Sequence, residues 1–436
     1  MDGYYAFMLV ATALVLMMTV PALALFYGGM SRSKSVLNMM MMSFIAAAIV
    51  GILYVAVGWS MGFGGDGTFF ADPFELLWLD GVTTDNYIFV MFQMTFAIIT
   101  AALISGAVAD RLKFSAWILF LPLWALIVYF PMAHMVFSCT DDSLICGRIG
   151  AQDYAGGTAV HINAGIAALV LALLLGKRVG WPKDKMRPHN LTLTMLGAGM
   201  LWLGWYGFNV GSIVFTGTTD EENTLQFLSE TGRTFANTTL ATMAAILGWL
   251  LVERILHGKA TSLGAASGIV AGLVAITPAA GAVDIEGAVA IGAIAGAVCA
   301  WAVSLKFKLG YDDSLDVVGV HLVGGVVGTV LIGFFSTSDG AGGIDGLFYG
   351  GGAGSLGDQA LGVLVAIAYS GVLTTVIALA IKFTIGLRIT EEDEVEGIDF
   401  VAHGESAYDL HTSMSRGSAL SPGIAAPSKT SEGANA

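Results

Sequence analysis

Between about residue 4 and residue 386 the chain carries eleven apolar stretches of roughly 18 residues or more, each long enough to cross the hydrocarbon core of a bilayer. They fall at about 4–28, 36–62, 87–108, 115–136, 157–176, 191–214, 236–256, 262–280, 285–305, 316–336 and 360–386. No water-soluble domain can bury so many long apolar segments. A soluble chain has roughly 25% charged residues, whereas this chain of 436 residues has 12% charged and 56% hydrophobic residues. The pattern predicts an all-α integral membrane protein with eleven transmembrane helices. Helices follow because backbone polar groups in lipid must be satisfied within the segment, and the period-two alternation of a membrane barrel is absent. Fifty-seven glycines fit the same picture, since membrane helices approach closely through small residues.

Lysine and arginine orient the bundle. With the N-terminus outside, seventeen of these residues fall in inner loops or the tail, from Arg32 and Lys34 through Arg111, Arg178 and Lys306 to Arg388, and only Arg148 and Arg233 face outward. The expectation is N-out and C-in. The net charge of −14 divides by side in the same frame, because the outward loops hold Asp66, Asp72, Glu75, Asp80, Asp141, Asp142, Asp220, Glu221 and Glu222. The bases sit in short loops beside membrane spans, which gives no nucleic-acid surface. Met1-Asp-Gly-Tyr-Tyr lacks a basic n-region, and the run from Tyr4 to Tyr27 is long enough to span. It reads as a first transmembrane helix, with earlier removal of a signal peptide left open.

Cys139 and Cys146 share one outward loop, while Cys299 lies within an apolar run. The loop pair forms a disulfide if its side is oxidising, and remains two thiols otherwise. After Arg388 an acidic run of Glu391, Glu392, Asp393, Glu394 and Glu396 precedes a stretch rich in Ser, Ala, Gly and Pro. Residues 1–386 are therefore read as the transmembrane domain. Residues 387–436 form a cytoplasmic tail, disordered beyond about residue 411.

Ionisable side chains inside membrane spans are costly and mark function. Of seven histidines only His161 and His321 lie well inside apolar helices. The fifth helix enters from outside near Asp153 and the tenth from inside near Asp313, so each histidine is about 12 Å deep at about 1.5 Å per residue. In a hydrocarbon core of about 30 Å both approach the midplane. Each closes a five-helix block, and an odd number of helices gives the two blocks opposite topology. Two inverted five-helix repeats plus a last helix, meeting at a central site, is the architecture this predicts. Either histidine alone would read as a core residue bonded to a neighbouring helix. A metal would want further ligands, no Cys or carboxylate accompanies the pair at that depth, and no cofactor is expected.

Local sequences then identify a family. Asp153-Tyr-Ala-Gly-Gly-Thr-Ala-Val-His161-Ile-Asn-Ala-Gly strongly resembles the fifth-helix signature of the ammonium transporters. Gly204-Trp-Tyr-Gly-Phe208-Asn-Val-Gly-Ser212 resembles their sixth-helix motif, and Asp312-Asp-Ser-Leu-Asp316-Val-Val-Gly-Val-His321 the tenth. Ala24-Leu-Phe-Tyr-Gly-Gly, Phe96-Ala-Ile-Ile-Thr and the segment from Gly386 to Tyr408 also look like family sequence. The resemblance implies that His161 and His321 are twin pore histidines sharing a hydrogen bond, and that Phe96 and Phe208 are stacked rings gating the outer end. It implies that Phe92, Phe96 and Ser212 form the vestibule that recruits the cation, and that Asp153, with Asp316 in the tenth-helix motif, plays a structural and electrostatic part. The family usually has tryptophan where this chain has Phe137, a poorer cation–π face without the indole N–H, so weaker recruitment or a compensating aromatic is expected.

The implied activity is transport of ammonium or ammonia rather than catalysis. Aromatic faces and a hydroxyl can replace part of ammonium's hydration shell, at about 0.5–2 kcal/mol per ring. Carrying the bare ion into an apolar bore would cost far more. Deprotonation at or below the phenylalanines, with ammonia passing the histidine pair, follows. The alternative is an ammonium sensor signalling through a cytoplasmic partner, and no fused signalling domain follows Leu410. The resemblance further implies a homotrimer in the cell membrane serving nitrogen uptake, with a tail that packs on the cytoplasmic face and communicates with a PII-type signalling protein.

Overall fold

The computed structural model describes residues 2–183 and 186–408. A helix forms over each of the eleven predicted stretches: α1 (Gly3–Met30), α2 (Val36–Phe63), α3 (Tyr87–Val108), α4 (Phe114–Ser138), α5 (Gly157–Leu175), α6 (Leu191–Val210), α7 (Asp220–His257), α8 (Ser262–Ile276), α9 (Ile285–Leu309), α10 (Val318–Phe335) and α11 (Gly354–Thr384). Two short helices follow, α12 (Glu391–Glu396) and α13 (Ile398–His403). Among the described residues nine helices are long and apolar enough to cross a membrane. The other two fall short for different reasons. Threonine, glycine, tryptophan, tyrosine and asparagine dilute the apolar character of α6, and α8 has only 15 residues.

The largest departure from expectation is α7. The predicted span begins near residue 236, yet the helix starts at Asp220 and runs for 38 residues, about 57 Å. Asp220, Glu221 and Glu222, expected in a loop, form its first turn, where acids favour the positive helix end. Thr219 and Glu222 close a capping box that starts the helix there. Apolar periodicity could not report this segment because its four leading turns are mostly polar.

The bundle has two distinct ends. One, the acidic face, gathers the segments around residues 137–154, 212–233 and 278–282 with the loop at 339–343. The other, the tail face, gathers Arg111, Arg178, Asp312, Arg388 and Glu394. Between them, α5 and α10 approach closely. A Cβ on Gly165 would lie 2.5 Å from the Leu322 nitrogen, and one on Gly325 would lie 3.0 Å from the Gly157 oxygen. Each glycine comes four residues after a histidine, so the crossing brings the two histidines together.

Candidate functional site

Each histidine is positioned by the start of its own helix. Asp153 Oδ1 accepts the N–H groups of Gly156 and Gly157 at 2.8 and 2.7 Å, and Oδ2 accepts those of Thr158 and Ala159 at 2.8 and 3.2 Å. The donors that a helix start leaves unpaired thus end on one carboxylate. Burial raises the Asp153 pKa despite the opposing pull of those four N–H groups. At α10 the equivalent acid is Asp313, which accepts from Val317 at 3.1 Å and Val318 at 2.7 Å. Burial lifts its carboxyl to about 6, with the Lys306 charge opposing. Asp316 instead holds Lys306 Nζ at 2.6 Å from a left-handed backbone position. The matching eight-residue spacings, Asp153 to His161 and Asp313 to His321, were the signal for this cap.

Both histidines sit in π-helical turns, Gly157–Ile162 and Val318–Leu322, a local widening that recurs at functional sites. Their Nδ1 atoms face each other at 3.3 Å, and both side chains are buried. One Nδ1 must donate and the other accept, so the pair shares a proton and double protonation is disfavoured. His161 Nε2 has no hydrogen-bond partner among the described residues. Trp205 stacks on His161 at 5.4 Å and 20°, held by its indole N–H donating to Thr277 Oγ1 at 2.8 Å. This residue was missed from sequence, although it stands three before Phe208 in the sixth-helix motif. The lumen beside the pair is about 10 Å³, room for one water-sized molecule, and its walls are apolar apart from the histidines and Trp205, with Leu23, Phe26, Leu103 and Val270 among them.

Towards the acidic face the lumen is closed by Phe96 and Phe208, stacked at 4.0 Å with planes 8° apart. Beyond this stack opens a cavity of about 900 Å³ lined by Phe137, Ser212, Asp153 and Gln152 among others. Phe137 meets Phe96 edge-on at 6.3 Å. Ser212 donates to the Phe208 carbonyl at 2.9 Å, which leaves its oxygen lone pairs to accept. Phe92 is fully buried against Phe96 at 4.9 Å, and backs the stack without lining the cavity. Among the described residues no group of three or more His, Cys, Asp or Glu could hold a metal.

The sequence matches the Ammonium Transporter Family over residues 6–408. The chain belongs to the ammonium transporter family. It is 52% identical to an ammonium transporter of Mycobacterium tuberculosis, over 97% of this chain and 93% of that protein. The fold is similar to the crystal structure of Saccharomyces cerevisiae Mep2, with a TM-score of 0.78 and 33% identity, covering 89% of this chain and 90% of that one. It is also similar to a sensor Amt protein, with a TM-score of 0.82 and 28% identity over 92% and 98% of the two chains. This family member is thus a multi-pass membrane protein of a transporter family.

Two features flank the site. On the acidic face Cys139 and Cys146 form a disulfide in the loop next to Phe137. On the tail face a buried ion pair joins Arg178 to Asp312 at 2.7 Å. Burial pushes the Asp312 pKa up, but the Arg178 bonds outweigh it and hold the carboxyl below the usual range. The acidic run of the tail is partly docked against the bundle. In the structure Glu394 is buried, bonds Arg388 at 2.7 Å and accepts the Val179 N–H at 2.8 Å. Asp399 accepts the N–H groups of Leu37 and Asn38, fastening the tail to the start of α2. The disorder expected beyond residue 411 lies outside the described residues.

Proposed function

We propose that this ammonium transporter family member moves ammonium nitrogen across the cell membrane through a pore within each subunit of a homotrimer. The chain crosses eleven times with its N-terminus outside, so the acidic face is the outer face. The disulfide there accords with an oxidising compartment. The observation that carries this reading is the pair of imidazoles 3.3 Å apart beneath a closed aromatic stack.

Ammonium enters the outer vestibule, where the Phe137 ring and the Ser212 oxygen replace part of its water shell. Asp153 contributes negative potential without contact, since its oxygens are taken by four N–H groups. The apolar lumen penalises a bare cation by far more than one ring returns, so the ion loses a proton at the Phe96–Phe208 stack. Neutral ammonia then passes His161 and His321 one molecule at a time. The proton returns to vestibule water or is relayed through the shared imidazole bond. On the inner side the packed tail offers the surface for a PII-type partner.

The test is current from proteoliposomes on a solid-supported membrane after an ammonium jump, for wild type and His161→Ala. A wild-type current lost in the variant supports charge-linked transport through the pair. Absence of current with internal alkalinisation means electroneutral ammonia entry. Absence of both favours a sensor that signals through a cytoplasmic partner, the reading to which the likeness to a sensor Amt protein points.

A further inference from the structure

The outer vestibule holds a carboxylate that the pathway above does not use. Glu230 lies on the polar start of α7, ahead of the predicted span, and faces the same cavity as Ser212 and Phe137. Its side chain is fixed from two sides. The Tyr154 hydroxyl donates to Oε1 at 2.8 Å and the Gln226 amide donates to Oε2 at 2.9 Å. Both donors are themselves held. The Tyr154 ring packs on Gly281, where a Cβ would come within 2.4 Å of it, and its N–H donates to the Pro278 carbonyl at 3.1 Å. Gln226 also donates to the Val214 carbonyl and accepts from the Thr216 N–H, both at 3.0 Å. A carboxylate offers about four acceptor positions. Two are used here, and Glu230 is only partly buried, so the remaining lone pairs are open to the cavity.

A second charge shares this wall. Arg233 lines the same cavity, and its buried Nη1 finds no hydrogen-bond partner among the described residues. A preformed carboxylate in a concave site focuses attraction for a small cation. A guanidinium nearby weakens that attraction, so an ion can enter and also leave, as conduction requires.

We propose that Glu230 is a first station for incoming ammonium, ahead of Ser212 and Phe137, with Arg233 setting how strongly it holds the ion. The proposal rests on the vestibule being the entry side. It also supplies what Phe137 lacks as a cation–π face: attraction comes from a fixed carboxylate instead of a stronger ring. Ammonium donates N–H bonds to the free Glu230 lone pairs while keeping water on its other sides, then moves to the Ser212 oxygen.

The experiment is initial-rate ammonium transport in proteoliposomes at low and high ionic strength, for wild type, Glu230→Gln, Arg233→Gln and Ser212→Ala. Glu230→Gln keeps an oxygen for the Tyr154 hydroxyl, removes the charge and gives up the acceptor for the Gln226 amide. It is expected to raise KM by about three- to tenfold at low salt with maximal rate within about twofold, and the difference should shrink at high salt as screening shortens its reach. Arg233→Gln should move KM the opposite way. If Glu230→Gln leaves KM unchanged while Ser212→Ala raises it, Glu230 is not a station and the entry reading stands. If neither moves KM, both fall. A KM shift in Glu230→Gln that salt does not alter, or a rise in KM in Arg233→Gln, would overturn the electrostatic role.

Discussion

Helices α5 and α10 are built alike and capped differently. Each has an acid, a π-helical turn, a histidine eight residues on and a glycine four residues beyond that. Asp153 spends both oxygens on four N–H groups, whereas Asp313 receives two and lies beside Lys306, Asp316 and the Arg178-bound Asp312. The shared parts place two imidazoles face to face, which needs only matched depth and a close crossing. The unshared parts answer to their surroundings. On the vestibule side the acid's oxygens are taken up by four N–H groups, so in the proposed pathway it acts on a cation by potential alone. On the tail side the acid is lightly capped and sits in a charged network.

The largest expected effect tests that difference directly. Asp153→Ala would orphan four N–H groups at a buried helix start, at about 1–3 kcal/mol each. Asp313→Ala would orphan two, so its loss of thermal stability in detergent should be about half as large. Equal losses, or the reverse order, would break the comparison.

A smaller effect is the pH dependence of the tail side. The Asp313 carboxyl is raised to about 6 from an ordinary value of 3.8. Between those values the folded chain holds a proton that the unfolded chain has released, so this group's contribution to stability grows as pH falls from 7 towards 4. Asp313→Asn should flatten that part of a plot of thermal midpoint against pH. Asp312 works in the other direction. Its lowered pKa means that its contribution is present above 3.8 and lost as pH drops through the folded value. A slope unchanged by Asp313→Asn would assign the pH response elsewhere.

The smallest effect sharpens the vestibule side. Phe137→Trp restores the stronger cation–π face and should lower the ammonium KM by about two- to fivefold, or roughly 0.5–1 kcal/mol. An unchanged KM would mean that the ring at this position does not meet the ion.

Much of this was legible in the chain. The apolar stretches that mark the eleven helices, and the paired histidines at matching depth, follow from patterns that repeat along the sequence. The Asp313 cap was readable in principle, because its distance to His321 repeats that of Asp153 to His161. Asp316 in the same motif competes for that role, since nothing local separates an acid that caps N–H groups from one that holds Lys306. Trp205 was hidden among nine tryptophans, most of which sequence cannot tell from packing. The polar start of α7 carries no apolar period to follow, and with it went Glu230.

The sequence by itself determined the solvent, the helical class, the family and the two histidines, because hydrophobic length and buried charge act through composition and spacing along one chain. Only the tertiary structure decided which groups meet. The 3.3 Å imidazole contact, the Phe96–Phe208 closure, the buried Glu394 and the Tyr154–Glu230–Gln226 chain each join residues from different elements or opposite helix ends. The imidazole contact, for one, depends on how close α5 and α10 can come, and that distance is set where a missing side chain lets Gly165 and Gly325 approach the opposing helix.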